Sequence, residues 1–145
     1  MEYASYEFYT EEYLGSMTEA DFTKWVKRAS RQLDVITSRR LLSSYPEDDE
    51  YSDQQIKMCV CEMAEKMADV DAFIKAQSVK EDGTAGVIQS KSAGNESMTY
   101  AIGESTYSSI AKDPQGLDKQ LWAIVVRYLA FAEDSTGVCL LYRGL

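Results

Sequence analysis

Three groups of residues in this chain have the types and spacing to do chemistry: two neighbouring cysteines, a run of four acids and a strip of lysines and arginines. Cys59 and Cys61 have one residue between them, which on a helix turns their side chains about 200° apart, so they cannot jointly grip a zinc ion. The chain has no histidine. That removes the usual neutral-pH base, the usual partner of a serine or cysteine nucleophile and the other half of a mixed metal site. Glu47, Asp48, Asp49 and Glu50 supply the paired carboxylates that glycoside hydrolysis uses, but a polar run of acids holds nothing that would raise one pKa above another. Gly83, Gly86 and Gly94 lack the Lys-Ser/Thr that follows the glycines of a phosphate-binding loop. The pattern points away from an enzyme, and no catalytic, cofactor-binding or metal-binding residue is assigned.

The basic strip is the group left over. Lys24, Lys27, Arg28 and Arg31 recur at three-four spacing, followed by Arg39 and Arg40, and so share one face if the segment is helical. Such a face is either plain solvated surface or a dock for an acidic neighbour subunit or for DNA phosphate, because like charges along one side create a directional field. The net charge of −9 argues against tight DNA wrapping, since an acidic protein gains little from counterion release. It is compatible with an acidic wall past which DNA slides.

The elements that must carry these groups are mostly helical. A chain of 145 residues fits one domain, and its 45% hydrophobic and 11% aromatic content supplies a core without disulfides. Met1-Glu2-Tyr3-Ala4 is acidic and polar, no run approaches the roughly 18 apolar residues of a membrane span, and three loosely spaced cysteines make no disulfide framework. A soluble protein of a reducing compartment is expected, with no membrane partner. Thr18 with Asp21 three residues on predicts a helix start, and Phe22, Val26, Ala29, Leu33 and Ile36 form its apolar stripe with Trp25 at the edge. Residues 43–51 read as a loop. Ser52 with Gln55 then predicts a second long helix to about Ala76, with Ile56, Val60, Met63, Met67, Val70 and Ile74 on one face. Asp113 and Pro114 open the last helix, whose broad face of Leu117, Leu121, Ile124, Val125, Tyr128, Leu129 and Ala132 predicts burial between helices or against another subunit. The apolar tail at 138–145 either folds back on its own domain or packs on a neighbour.

Between the second helix and the last, residues 77–103 lose the helical pattern. Met98, Tyr100 and Ile102 alternate with small polar residues after the Gly94-Asn95 turn, which predicts a β-hairpin or paired extended arm. A lone hairpin is marginal in water, so its apolar side must be completed by its own core or by another protein. The expected fold is therefore mainly α: a helical bundle with a central β-hairpin or extended arm between the second long helix and the C-terminal helix.

Three stretches, in order, carry a family likeness. The first is Tyr9-Thr10-Glu11-Glu12-Tyr13-Leu14-Gly15 with Thr18-Glu19-Ala20-Asp21-Phe22 and the segment from Arg28 to Thr37. The second runs from Gln89 to Tyr100, and the third is Leu140-Leu141-Tyr142-Arg143-Gly144-Leu145. Together they resemble the head–tail connector proteins of tailed bacteriophages and prophages, small helical adaptors that join the portal to the neck. The likeness spans nearly the whole chain, with Lys91 standing where relatives often carry an acid. It implies a virion protein assembled in the bacterial host cytoplasm, in a ring of about twelve subunits closed by unlike faces. The ring would sit beneath the portal protein, meet a downstream neck or head-completion protein, and pass DNA through its channel without specific binding. Inter-subunit or portal contacts are expected at Lys24, Arg28 and Arg31, at Val87, Ser90, Lys91, Gly94, Met98 and Tyr100 of the arm, and at Leu141, Tyr142 and Arg143 of the tail. The alternative is a small helical protein-interaction module with no ring assembly.

Overall fold

The computed structural model describes residues 2–81 and 114–142, and these form a mainly α-helical bundle. In chain order the helices are α1 (Tyr6–Glu11), α2 (Glu19–Ile36), α3 (Arg40–Ser43), α4 (Glu50–Glu81) and α5 (Pro114–Leu129). The chain divides into two compact units, residues 1–67 with 120–145, and residues 68–119. The first unit holds nearly all the buried side chains of the described residues.

Thr18 opens α2 as its spacing predicts: its hydroxyl accepts the Asp21 amide (3.3 Å) and donates to the Asp21 carboxylate (3.1 Å). Phe22, Val26, Ala29, Leu33 and Ile36 are all buried, and Trp25 joins them rather than standing at the edge. From α4 come Ile56, Val60, Met63 and Ala64, and from α5 Leu121, Ile124, Val125 and Leu129. Burying each large aliphatic side chain contributes about 1.5–3 kcal/mol, which makes these stripes the main stabilising term of the first unit. In the second unit Val70 is buried and Lys75 pairs with Asp71 one turn back (2.9 Å).

The structure corrects three expectations. First, α4 starts at Glu50, and Ser52 is not its cap but a buried hydroxyl that donates to the Asp49 carboxylate (2.5 Å). Second, α4 runs through to Glu81, so residues 77–81 belong to a helix and not to an arm. The sequence loses its apolar stripe there, but Gln77, Lys80 and Glu81 are good helix formers and the helix continues without it. Third, there is no strand among the described residues; the one β-type pairing is an isolated bridge between Glu133 and Cys139. Among the described residues the fold is thus a helical bundle without the expected β-hairpin or extended arm; residues 87–102, on which the hairpin pattern falls, lie outside them.

The N-terminal segment holds a helix that periodicity did not predict. Ser5 caps α1 by accepting the Phe8 amide (3.1 Å), and the six-residue helix is held by aromatic packing rather than by its own propensity. Tyr9 is fully buried, stacks on Phe22 with centroids 4.5 Å apart, and reaches the Glu65 carboxylate of α4 with its hydroxyl (2.7 Å). The Met17 amide donates to the same hydroxyl (2.9 Å), so the chain after α1 wraps tightly over the ring. Gly15 sits at the closest point of that wrap, where an added Cβ would overlap the Tyr9 ring atoms. Gly15→Ala should therefore cost about 2 kcal/mol by overpacking, read as a lower urea midpoint with unchanged slope. An unchanged midpoint would show that the wrap relaxes freely.

Candidate functional site

The described residues hold no assembled reaction centre, and their chemistry sorts into one clamp, one phenol network and two outward surfaces. No group of three or more His, Cys, Asp or Glu residues among them is placed to hold a metal ion. Cys59 and Cys61 are both buried, and burial pushes the Cys61 thiol up to about 12 and the Cys59 thiol higher still. A protonated buried thiol is neither nucleophile nor ready metal ligand. The Cys59 Sγ instead faces the Met63 sulfur at 3.8 Å, as core packing.

The clamp joins α3 to the chain beyond α5. Asp134, its side chain 2% exposed, accepts from the Arg40 guanidinium (3.0 Å), the Thr136 amide (2.8 Å) and hydroxyl (2.6 Å), and the Val138 amide (3.1 Å). Burial alone would raise its pKa; the bonds from Thr136, Val138 and Arg40 outweigh it and hold the carboxyl well below the usual range. Gly137 supplies the left-handed backbone (φ 82°) that closes this turn. Arg40 also donates to the Tyr142 carbonyl (2.9 Å), and the Leu140 amide donates to the Ala132 carbonyl (3.0 Å). The described part of the tail, residues 138–142, thus folds back on its own unit through buried Leu140. Leu141 is half-buried and Tyr142 exposed, while Arg143 lies outside the described residues.

The phenol network pins the N-terminal segment. Tyr3 donates to Asp34 (2.5 Å) and stacks on Tyr45 (5.7 Å), whose hydroxyl donates to Asp53 (2.7 Å). Tyr9 and Tyr13 share Glu65 between them. Burial first, and then the bond to a carboxylate and its charge, pushes Tyr9 up to about 12 and moves Tyr3, Tyr13 and Tyr45 further in the same direction. These hydroxyls are fixed donors at neutral pH and do no acid–base work there.

The first outward surface is the basic face of α2. Lys24, Arg28 and Arg31 are exposed on the side opposite the buried stripe, and the structure brings all three together. The Trp25 ring lies beneath two of them, with the Lys24 Nζ and the Arg28 Cζ each 4.8 Å from its centroid. Lys27 at the edge pairs with Glu2 (3.6 Å). The second is the outer side of α5, where Trp122 and Val126 are each 39% exposed, with Phe131 just beyond the helix at 83%. These three were not among the expected contacts; the signal was available, since they fall outside the apolar face that the period-3.6 stripe accounts for. Val87, Ser90, Lys91, Gly94, Met98 and Tyr100 lie outside the described residues.

No protein-family model, curated protein or solved structure matches the chain.

Two pH responses follow from these groups. Asp134 has a folded-state pKa below its unfolded one, so its contribution is complete above about pH 4 and is lost as pH falls through the folded-state value. Asp134→Asn should lower stability by about 2 kcal/mol at neutral pH and flatten the acid limb of a thermal-unfolding series; parallel limbs would count against the clamp. The tyrosines behave oppositely: their folded-state values are raised, so their contribution is complete below about pH 10 and is lost as pH rises through the folded-state values. Ultraviolet titration should show Tyr3, Tyr9, Tyr13 and Tyr45 ionising only with alkaline unfolding, and all ten tyrosines titrating together near pH 10 would refute the network.

Proposed function

We propose that this chain is a small helical adaptor that works by docking other proteins. The observation that carries the reading is the apolar outer side of α5. Phe131, at 83% the most exposed large apolar side chain among the described residues ahead of Leu14 (78%) and Val35 (69%), forgoes most of the roughly 2 kcal/mol that burying a phenylalanine contributes. Val126, one turn after Trp122 on the same side of the helix, extends that surface. The charged face of α2 is a second surface of the same kind, polar rather than apolar.

A finer reading is the head–tail connector of a tailed bacteriophage: a ring beneath the portal that links the capsid to the neck and lines the DNA channel. The resemblance of residues 9–15, 18–22, 28–37, 89–100 and 140–145 supports it, as does the coexistence of a basic face with the exposed acids Glu47 to Glu50, material for a contact between unlike faces. An acidic lining would also keep DNA from sticking. The plainer alternative is an interaction module that binds one partner and forms no ring.

Light scattering separates the two. The chain mixed with its cognate portal protein is expected to enter a large complex, and Val126→Ser with Phe131→Ser should weaken that association at least tenfold while changing stability by less than about 0.5 kcal/mol each. A chain that stays monomeric and ignores the portal would exclude the connector and leave the ring-free module.

A further inference from the structure

We infer that Lys24, Arg28 and Arg31 form a docking strip for a carboxylate-bearing helical segment of a partner protein. This rests on the reading of the chain as a protein-docking adaptor. The three cations recur at i, i+4 and i+7 along about 10 Å of α2, so they lie in register with acids at the same spacing on an opposing helix. They are available: no ion pair among the described residues includes any of them. The nearest acids on α2 are already engaged, Asp21 by the Thr18 hydroxyl (3.1 Å) and Asp34 by Tyr3 (2.5 Å).

The strip is also held in shape. Trp25 is buried among the core residues, and its ring carries both the Lys24 ammonium and the Arg28 guanidinium, each 4.8 Å from its centroid. Fixing long side chains beforehand lowers the entropy lost on binding. The chain itself shows which group the edge of this face accepts: Glu2 sits against Lys27 at 3.6 Å.

Carboxylates fit better than nucleic-acid phosphate. Duplex DNA carries a charge about every 1.7 Å over many turns, so its contact would run past a 10 Å strip onto what surrounds it. Here those surroundings include Glu2 and the exposed first-turn acids Glu19 and Asp21, on a chain of net charge −9. A short acidic helix ends where the strip ends. At physiological salt the field is felt over only about 8 Å, so the local cations govern a short ligand while the wider acidic surface governs a long one.

The test uses the full chain, an alanine-based helical peptide with glutamates at i, i+4 and i+7, and a duplex oligonucleotide, followed by amide shifts in NMR titrations. Peptide-induced shifts are expected to centre on residues 24–31. They should weaken at least tenfold in the Lys24→Glu, Arg28→Glu, Arg31→Glu variant and persist in the control Arg39→Glu, which the structure places beyond the end of α2, exposed and just before α3. No peptide-induced shift in α2, equal binding by the triple variant, or tighter binding of the duplex to this face would each overturn the inference. Self-association of the free chain that is abolished by the triple variant would overturn it too, by assigning the strip to a second copy. The adaptor reading is judged separately, by association of the unmodified chain with the portal: its failure while the peptide binds would exclude that partner and leave the strip.

Discussion

The Asp134 carboxylate is the constraint on which the closing half of the first unit depends. It is buried, and a buried charge is tolerated only where its lone pairs are filled. Four bonds fill them, three from its own turn and one from Arg40, 94 residues earlier in the chain. Through Arg40 the same carboxylate orients α3 and catches the Tyr142 carbonyl, which sets where the tail can run. Ser52 repeats the device nearby: its hydroxyl accepts the Glu133 amide (3.0 Å) and donates to Asp49, tying the start of α4 to the chain just beyond α5. With the ends of three helices fixed in this way, the apolar stripes have one arrangement in which to bury.

What was legible in the sequence were the features set by local periodicity. The Thr18–Asp21 cap and the α2 stripe stand as their spacing predicts, because a cap and a stripe each need only residues within a few positions. The six residues of α1 are too few for a periodic signal, and what holds them is Tyr9 stacked on Phe22 and bonded to Glu65, a contact across 56 positions. The end of α4 was misplaced because an apolar stripe reports burial and not helicity, and residues 77–81 stay helical without one. Ser52 has the look of a cap, but its hydroxyl serves a tertiary bond that no local rule contains. Of the expected contact residues, the α2 cations were legible as a face; that Trp25 lies under them was not, since its buried position is a property of the packed unit.

Within the first unit these features commit the buried chemistry to structure and leave the rest turned outward. Cys59 and Cys61 are buried and protonated, Tyr3, Tyr9, Tyr13 and Tyr45 are fixed as donors, and Asp134 is committed to its clamp. The groups that face solvent include a set of cations on α2 and an apolar margin at α5. Apolar margins supply affinity and charged strips supply register, which is the division of labour expected of a docking protein.

The most direct test is a cryo-electron-microscopy reconstruction of the chain bound to its native partner. Docking through these surfaces predicts carboxylate side chains of a neighbouring protein within ion-pair distance of Lys24, Arg28 and Arg31, and Phe131 buried in the same assembly. A bound chain whose α2 cations face open solvent or DNA, with Phe131 still exposed, would contradict it.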